Sequence, residues 1–362
     1  MLLIKNGTVH IGDGTVRDKT DILLKGERIE KIGQNLSIKG GEILDASGKH
    51  IFPGFIDPAS AIGVMGIPGR VMDHDETSSI INPDLSVSYS IDPDEVDAQA
   101  FYKSGITTIG LMPTSRTLIG GQMAVFQTAP GRFSERLIKK DAGLKMSVTE
   151  AVTETFGEKK MCPMTKMGLF SVLDSALKDE KRSDVLKAVF EKREMPAFIN
   201  AVSAMEIQGI LHFLEGKNVD PIIVDGFGFR DAMPEMLKSK AGLIIGNMIF
   251  LSQISKHDMD LSLLETLYDH GNKVAFTNSN GGWSEGREVL LWNAIEAYRC
   301  GVDAEKIVAM LSSHPAEMLG IAEKTGRIKE GLSGDLVISN AHLIKSYNAR
   351  VEKVFISGRE VL

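Results

Sequence analysis

The middle of the chain, roughly 51–325, alternates short unbroken apolar segments with helical ones, and this alternation restricts the fold more than any other feature. Apolar runs fall at 51–56, 106–111, 197–200, 222–224, 243–245 and 274–277. Runs of this kind read as strands buried on both faces, which a parallel sheet requires because its crossover helices cover both sides. The helical stretches between them have legible ends. The stretch 94–104 stops at Gly105, and 261–270 and 287–300 run to Gly271 and Gly301. Ser203 and Glu206 form a capping box that opens a helix ending before Gly216, and a further helix spans 304–310. Segments 122–127 and 145–149 bring the strands to eight. The expected class is therefore α/β, a closed (β/α)8 TIM barrel rather than an open doubly wound sheet. Neither G-x-G-x-x-G nor G-x-x-x-x-G-K-[ST] occurs, which weighs against a nucleotide-binding sheet.

The two ends have a different texture. Residues 1–50 set short apolar runs between Asn6-Gly7, Gly12-Asp13-Gly14, Lys25-Gly26 and Gly33, the pattern of an antiparallel meander. The carboxyl end resembles it, with a strand at 335–338 and a hairpin from 351–356 through Ser357-Gly358. A small β-sandwich domain built from both termini is expected, 1–51 and 326–362 flanking a barrel over 52–325.

Composition excludes several functions. With 41 Lys and Arg against 48 Asp and Glu the net charge is −7, and no basic run offers a local nucleic-acid site. No apolar run approaches the ~18 residues of a membrane span, and the amino terminus lacks the pattern of a signal peptide. Cys162 and Cys300 have no CxxC spacing, so neither a disulfide framework nor a cysteine zinc site is indicated. These features suggest a cytoplasmic protein with no nucleic-acid or membrane partner.

The segment Gly48-Lys49-His50-Ile51-Phe52-Pro53-Gly54-Phe55-Ile56-Asp57, leaving a β-rich region to open a barrel, resembles the amidohydrolase superfamily. Its imidazolonepropionase-like branch is the most similar. Gly120-Gly121-Gln122, the run from His314 to Gly320, and Gly326 to Gly331 followed by Gly334-Asp335-Leu336 support the same resemblance in the same order. It implies the barrel, hydrolysis of C–N bonds in small cyclic or acyl amides, zinc or another divalent metal, and oligomers.

The departures from that pattern carry the functional reading. Where the family has a pair of metal-binding histidines after the strand-opening Asp, this chain has Ala59 and Ala61. The fifth-strand histidines fall on Asn200 and Val202, the sixth-strand histidine on Asp225, the last-strand Asp on Asn278, and the family lysine on Gln127. Methyl groups have no lone pair, and an amide is no base at neutral pH. The resemblance therefore implies no metal site of the usual type, and no cofactor is expected. Asp225 is the candidate catalytic residue, its structural alternative being a carboxylate paired with a neighbour such as Arg230. Ala59, Ala61, Glu76, Gln122, Asn200, Val202 and Asn278 are the candidate pocket residues. The expected protein is metal-free, non-catalytic or of altered mechanism, binding a small molecule or a partner at the barrel mouth, as a homo-oligomer or with an active relative. The alternative is a metal-dependent hydrolase whose ligands have moved to Asp73, His74, Asp75, Glu76 and Asp225. Trp283 could stack on a ligand or cover the barrel end. His10, His50 and His342 belong to or adjoin the β-rich ends, far from the mouth.

Overall fold

In a computed structural model of the chain, residues 1–61, 63–64, 72–91, 101–131, 133–246, 259–278 and 286–362 are described. Both ends of the chain meet in one mixed sheet. Its strands are β1 (Leu2–His10), β2 (Val16–Lys25), β3 (Arg28–Gly33), β4 (Glu42–Asp45) and β5 (His50–Pro53). The barrel follows with β6 (Phe55–Ser60), β7 (Ile106–Leu111), β8 (Ile119–Gln127), β9 (Leu137–Ser147), β10 (Ala197–Asn200), β11 (Pro221–Val224), β12 (Gly242–Ile245) and β13 (Val274–Phe276). The first sheet is completed by β14 (Leu336–Ser339), β15 (Val351–Ile356) and β16 (Arg359–Glu360).

The terminal sheet has the order β16-β15-β14-β5-β1-β2-β3, with β4 pairing on β1. Two expectations change here. Asn6-Gly7 is not a hairpin turn: β1 runs through it with a register shift, Asn6 taking φ 64°. Such a shift is a bulge, which absorbs a left-handed residue without ending the strand. The strand expected over 51–56 is split, because Phe52 pairs in the terminal sheet with β14 while Phe55 pairs in the barrel with β7. Gly54 is the hand-over. A Cβ there would lie 2.1 Å from Thr107 Oγ1, so only glycine lets the strands pass so closely. All described strands of the two ends join this one sheet; no second facing sheet, as a sandwich would need, occurs among the described residues.

The barrel strands follow one another in sequence order from β6 to β13. β6 and β7 are parallel, as are all neighbours from β9 to β13. β8 runs antiparallel to both β7 and β9, which corrects the expectation of eight parallel strands. The connections 112–118 and 128–136 explain the inversion. A parallel crossover needs a dozen or more residues, usually a helix, and neither connection has the length. Two short reversals in succession restore the common direction at β9. The rest is a TIM-like α/β barrel.

Alternation sorts the side chains. Phe198 packs with Ile56, Val125, Val224 and Ile244 inside the barrel, whereas Ile199, Leu243 and Phe276 join the larger cluster under the helices. The capping box at Ser203 forms as expected, with the Ser203 hydroxyl accepting from Glu206 N and the Glu206 carboxylate accepting from Ser203 N. Gly271 ends the helix Leu263–His270 with φ 92°, a C-terminal position that glycine fills without strain. Of the helix expected over 94–104, residues 94–100 lie outside the described residues. No described helix is long and apolar enough to cross a membrane.

Candidate active site at the barrel mouth

The barrel closes on itself through side chains. Among the described residues β13 and β6 share no hydrogen-bonded ladder, and Asp57 bridges the seam between them. Its carboxyl group accepts from Thr277 Oγ1 at 2.5 Å, from Asn278 N at 3.2 Å and from Ala59 N at 3.2 Å. Full burial pushes the Asp57 pKa up to about 6; the three hydrogen bonds oppose that rise, and the nearby charge of Asp225 adds to it.

Asp225 follows the last residue of β11. It adopts φ 57°, a left-handed conformation that Asp tolerates better than most residues. Its N–H donates to Ile244 O at 3.0 Å and its carbonyl accepts from Phe227 N at 2.7 Å, fixing the kink. The side chain is wholly buried, with Oδ2 accepting from Asn200 Nδ2 at 2.7 Å. Oδ1 lies over Gly246, where a Cβ would come within 1.9 Å of it. Asp225 thus spans the carboxyl ends of β10, β11 and β12.

Lys145 is the functional candidate that sequence reasoning missed. Its neighbours Leu144 and Met146 join the cluster beneath the helices, so alternation along β9 turns Lys145 toward the barrel axis. It is fully buried, donating to Met146 O at 3.0 Å and to Ser115 Oγ at 3.1 Å. Desolvation pulls its pKa down to about 7 against the opposing pull of Asp225. Near neutral pH it therefore exists as both amine and ammonium. The signal was available in Ala142-Gly143-Leu144-Lys145-Met146-Ser147, a charge inside an otherwise buried strand. Gln127, where the resemblance put the family lysine, ends the inverted strand β8 beside Thr108 near the start of β7 and donates to Ser357 Oγ at 2.8 Å. The inversion carries it to the base of the barrel.

The remaining candidates separate. Among the described residues, both polar atoms of the buried Asn278 side chain lack a hydrogen-bond partner, as does Asn200 Oδ1. Ala59 is buried and Ala61 half-buried, while Val202 is exposed. Gln122 Nε2 donates to Pro83 O at 3.2 Å, tying the overlying segment to β8. Glu76 is exposed and accepts from Ser78 N at 2.9 Å. His74 Nδ1 lies 3.2 Å from Val64 O. Asp75 pairs with Arg116 at 2.6 Å and accepts from Thr114 Oγ1 at 2.5 Å. Trp283 lies outside the described residues.

A divalent metal of the kind the resemblance implies needs about three convergent neutral or anionic donors. Among its described residues the mouth offers instead the Lys145 amine, two engaged carboxylates and two amides. Among the described residues the only group of three close His or carboxylate ligand atoms is His10, Glu305 and His342, which belongs to the terminal sheet and a helix. Among the described residues, the donors at the mouth do not make up a set of that kind.

Known proteins resemble this chain along most of its length. The model for the Amidohydrolase family matches residues 97–361. "Amidohydrolase tasK" of Hapsidospora irregularis is 21% identical over 377 aligned residues, 88% of this chain and 37% of that protein. A dihydroorotase of Thermoanaerobacter sp. (strain X514) is 24% identical over 179 residues, 49% of this chain and 35% of that one. The matches thus span well under half the length of these curated relatives. Among solved structures, an amidohydrolase from Thermotoga maritima MSB8 superposes with a TM-score of 0.88 at 26% identity, covering 100% of both chains. A Xaa-Pro dipeptidase shares the fold, with a TM-score of 0.61 at 14% identity over 99% of each chain.

Proposed function

Because the chain belongs to the Amidohydrolase family, we propose that it acts on a C–N bond of a small cyclic or acyl amide at the barrel mouth, through Lys145 and Asp225 rather than a histidine-held metal. The observation that carries this reading is the fully buried Lys145 within electrostatic reach of a fully buried Asp225. Burying both charges is costly, and groups whose pKa burial shifts as it shifts that of Lys145 concentrate at functional sites.

The pair supplies what amide hydrolysis requires. Asp225 takes a proton from water as the water oxygen bonds to the amide carbonyl carbon. The Lys145 ammonium and Asn278 Nδ2, which has no partner among the described residues, are suited to receive the oxyanion, and Asn200 fixes the Asp225 carboxylate at 2.7 Å. As the C–N bond breaks, Lys145 gives its proton to the leaving nitrogen, and the proton held by Asp225 restores it. A carboxylate activates water less than a metal does, so turnover is expected to be slow beside metal-dependent relatives.

A second reading, binding without turnover, draws on Asn278 and Asn200, whose three side-chain atoms without a partner among the described residues would suit a polar ligand whether or not it reacts. The test is a panel of hydantoin, dihydroorotate and N-acyl amino acids offered to thoroughly chelated protein, with product read by NMR. Turnover that survives chelation and disappears in Lys145→Met and Asp225→Asn supports the proposal. Activity lost on chelation and restored by zinc overturns it. Ligand-induced thermal stabilisation without product, retained in Asp225→Asn, selects the binding reading.

A further inference from the structure

Four side chains from four separate segments converge where the terminal sheet meets the helix Ala304–Leu311. His10 lies at the end of β1, His50 at the start of β5, His342 just after β14, and Glu305 in the first turn of that helix. The His10, Glu305 and His342 side chains are only 2%, 13% and 7% exposed. His10 Nδ1 lies 2.8 Å from Glu305 Oε2, His342 Nε2 lies 3.2 Å from Oε1, and His10 Nε2 lies 2.9 Å from His50 Nδ1. The His10 ring stacks on Phe52 at 4.1 Å, which fixes its orientation.

These contacts determine where the protons sit. A carboxylate only accepts, so His10 Nδ1 donates to Glu305. His342 Nδ1 accepts from the backbone N–H of Ile344 at 3.2 Å and of Lys345 at 3.4 Å, which leaves the ring proton on Nε2, directed at Glu305. A metal at His342 Nε2 would force that proton onto Nδ1, against two N–H groups. The cluster is built for protons rather than for a cation. Between His10 Nε2 and His50 Nδ1 there is room for one proton only, because two would set N–H against N–H.

We propose that His10, His50, Glu305 and His342 form an acid-sensitive clamp that fastens the terminal sheet to the helix behind the barrel seam. The helix Ala304–Leu311 packs on both β13 and β6, the strands that Asp57 and Thr277 join. Loosening the clamp therefore loosens the support of the candidate active site. The other charges facing the cluster are Asp18 on β2, toward His50, and Lys345, toward His342. Burial and the neighbouring imidazoles hold His50 down at about 4, so it stays neutral while the clamp is closed and takes a proton readily once released.

Native-state hydrogen exchange of amides in 304–311, corrected for intrinsic rates, tests the clamp at about pH 7.5 and about pH 5. If released His50 regains its ordinary pKa, its opening equilibrium should rise about thirtyfold over that interval. In His50→Gln the His50 share of the rise should be lost, leaving the smaller share of His342, which burial also holds below its ordinary value. An equal rise in both proteins overturns the clamp, as does no rise in the wild type. A bound equivalent of zinc that Glu305→Gln releases overturns it in favour of a metal site. An imidazole NMR titration of the unmutated protein is independent of whether the variant folds, and His50 titrating in the ordinary range there also overturns it.

Discussion

The Thr277 hydroxyl reaches the Asp57 carboxyl group at 2.5 Å across the edge where the first and last barrel strands share no ladder. A side-chain contact thus does the work that backbone pairing does between the other strands. Thr277→Val keeps the shape and removes the donor. Hydrogen bonds to charged groups contribute about 1.5–3 kcal/mol, so a loss of about 2 kcal/mol is expected in urea unfolding at neutral pH. Asp57 also gives the difference a pH dependence. Its folded pKa, about 6, exceeds the ordinary 3.8, so its contribution to stability is full below 3.8 and declines as pH rises through 6. Asp57→Asn should remove that decline, read as the difference from wild type. The depressed His50 contributes with the opposite sign over an overlapping window, which makes the raw profile uninformative.

Gly246 sets the position of Asp225. A Cβ at Gly246 would lie 1.9 Å from Asp225 Oδ1, so Gly246→Ala must shift the carboxylate from the position in which Asn200 holds it. Overpacking of this kind typically costs about 1–3 kcal/mol. Activity or ligand binding at the mouth should fall further than stability explains. Gly157, in the helix Glu150–Glu158, is the control: its nearest neighbour would be Met164 Cγ at 4.0 Å. There Gly→Ala should stabilise by about 0.5–1 kcal/mol and leave the mouth unchanged. Thermal melts and ligand titrations on the two variants separate these outcomes.

Much of the fold was legible because strand and helix periods differ and because glycine marks helix ends. The direction of β8 was not. An apolar run carries no arrow, and the information lay in the short connections 112–118 and 128–136. Asn6-Gly7 misled for a related reason, since a left-handed residue suits a bulge as well as a turn. Asp225, Asn200 and Asn278 were legible as mouth positions through the resemblance. Lys145 was hidden because the lysine was sought on Gln127, whose strand is inverted. The clamp was hidden because its residues stand at 10, 50, 305 and 342, and pairing of β1 with β5 and of β5 with β14 brings three of its four segments together.

Lys145 gives the sharpest pH prediction. Its folded pKa of about 7 lies below the ordinary 10.5, so between these values the unfolded chain binds the extra proton. Stability must therefore rise with pH over that window, and Lys145 burdens the fold at and below neutrality. Lys145→Met fills similar volume with no charge to desolvate. The variant should melt above the wild type near pH 7, and the gap should narrow toward pH 10. Removing a lysine held by ordinary surface pairing would give no such convergence. A variant that is both more stable near neutrality and inactive toward amide substrates would show that stability is given up to keep a reactive amine in the barrel, the trade-off expected of a catalytic group. A variant that melts below the wild type at every pH would mean that the hydrogen bonds to Ser115 and Met146 outweigh desolvation, and Lys145 would then be structural.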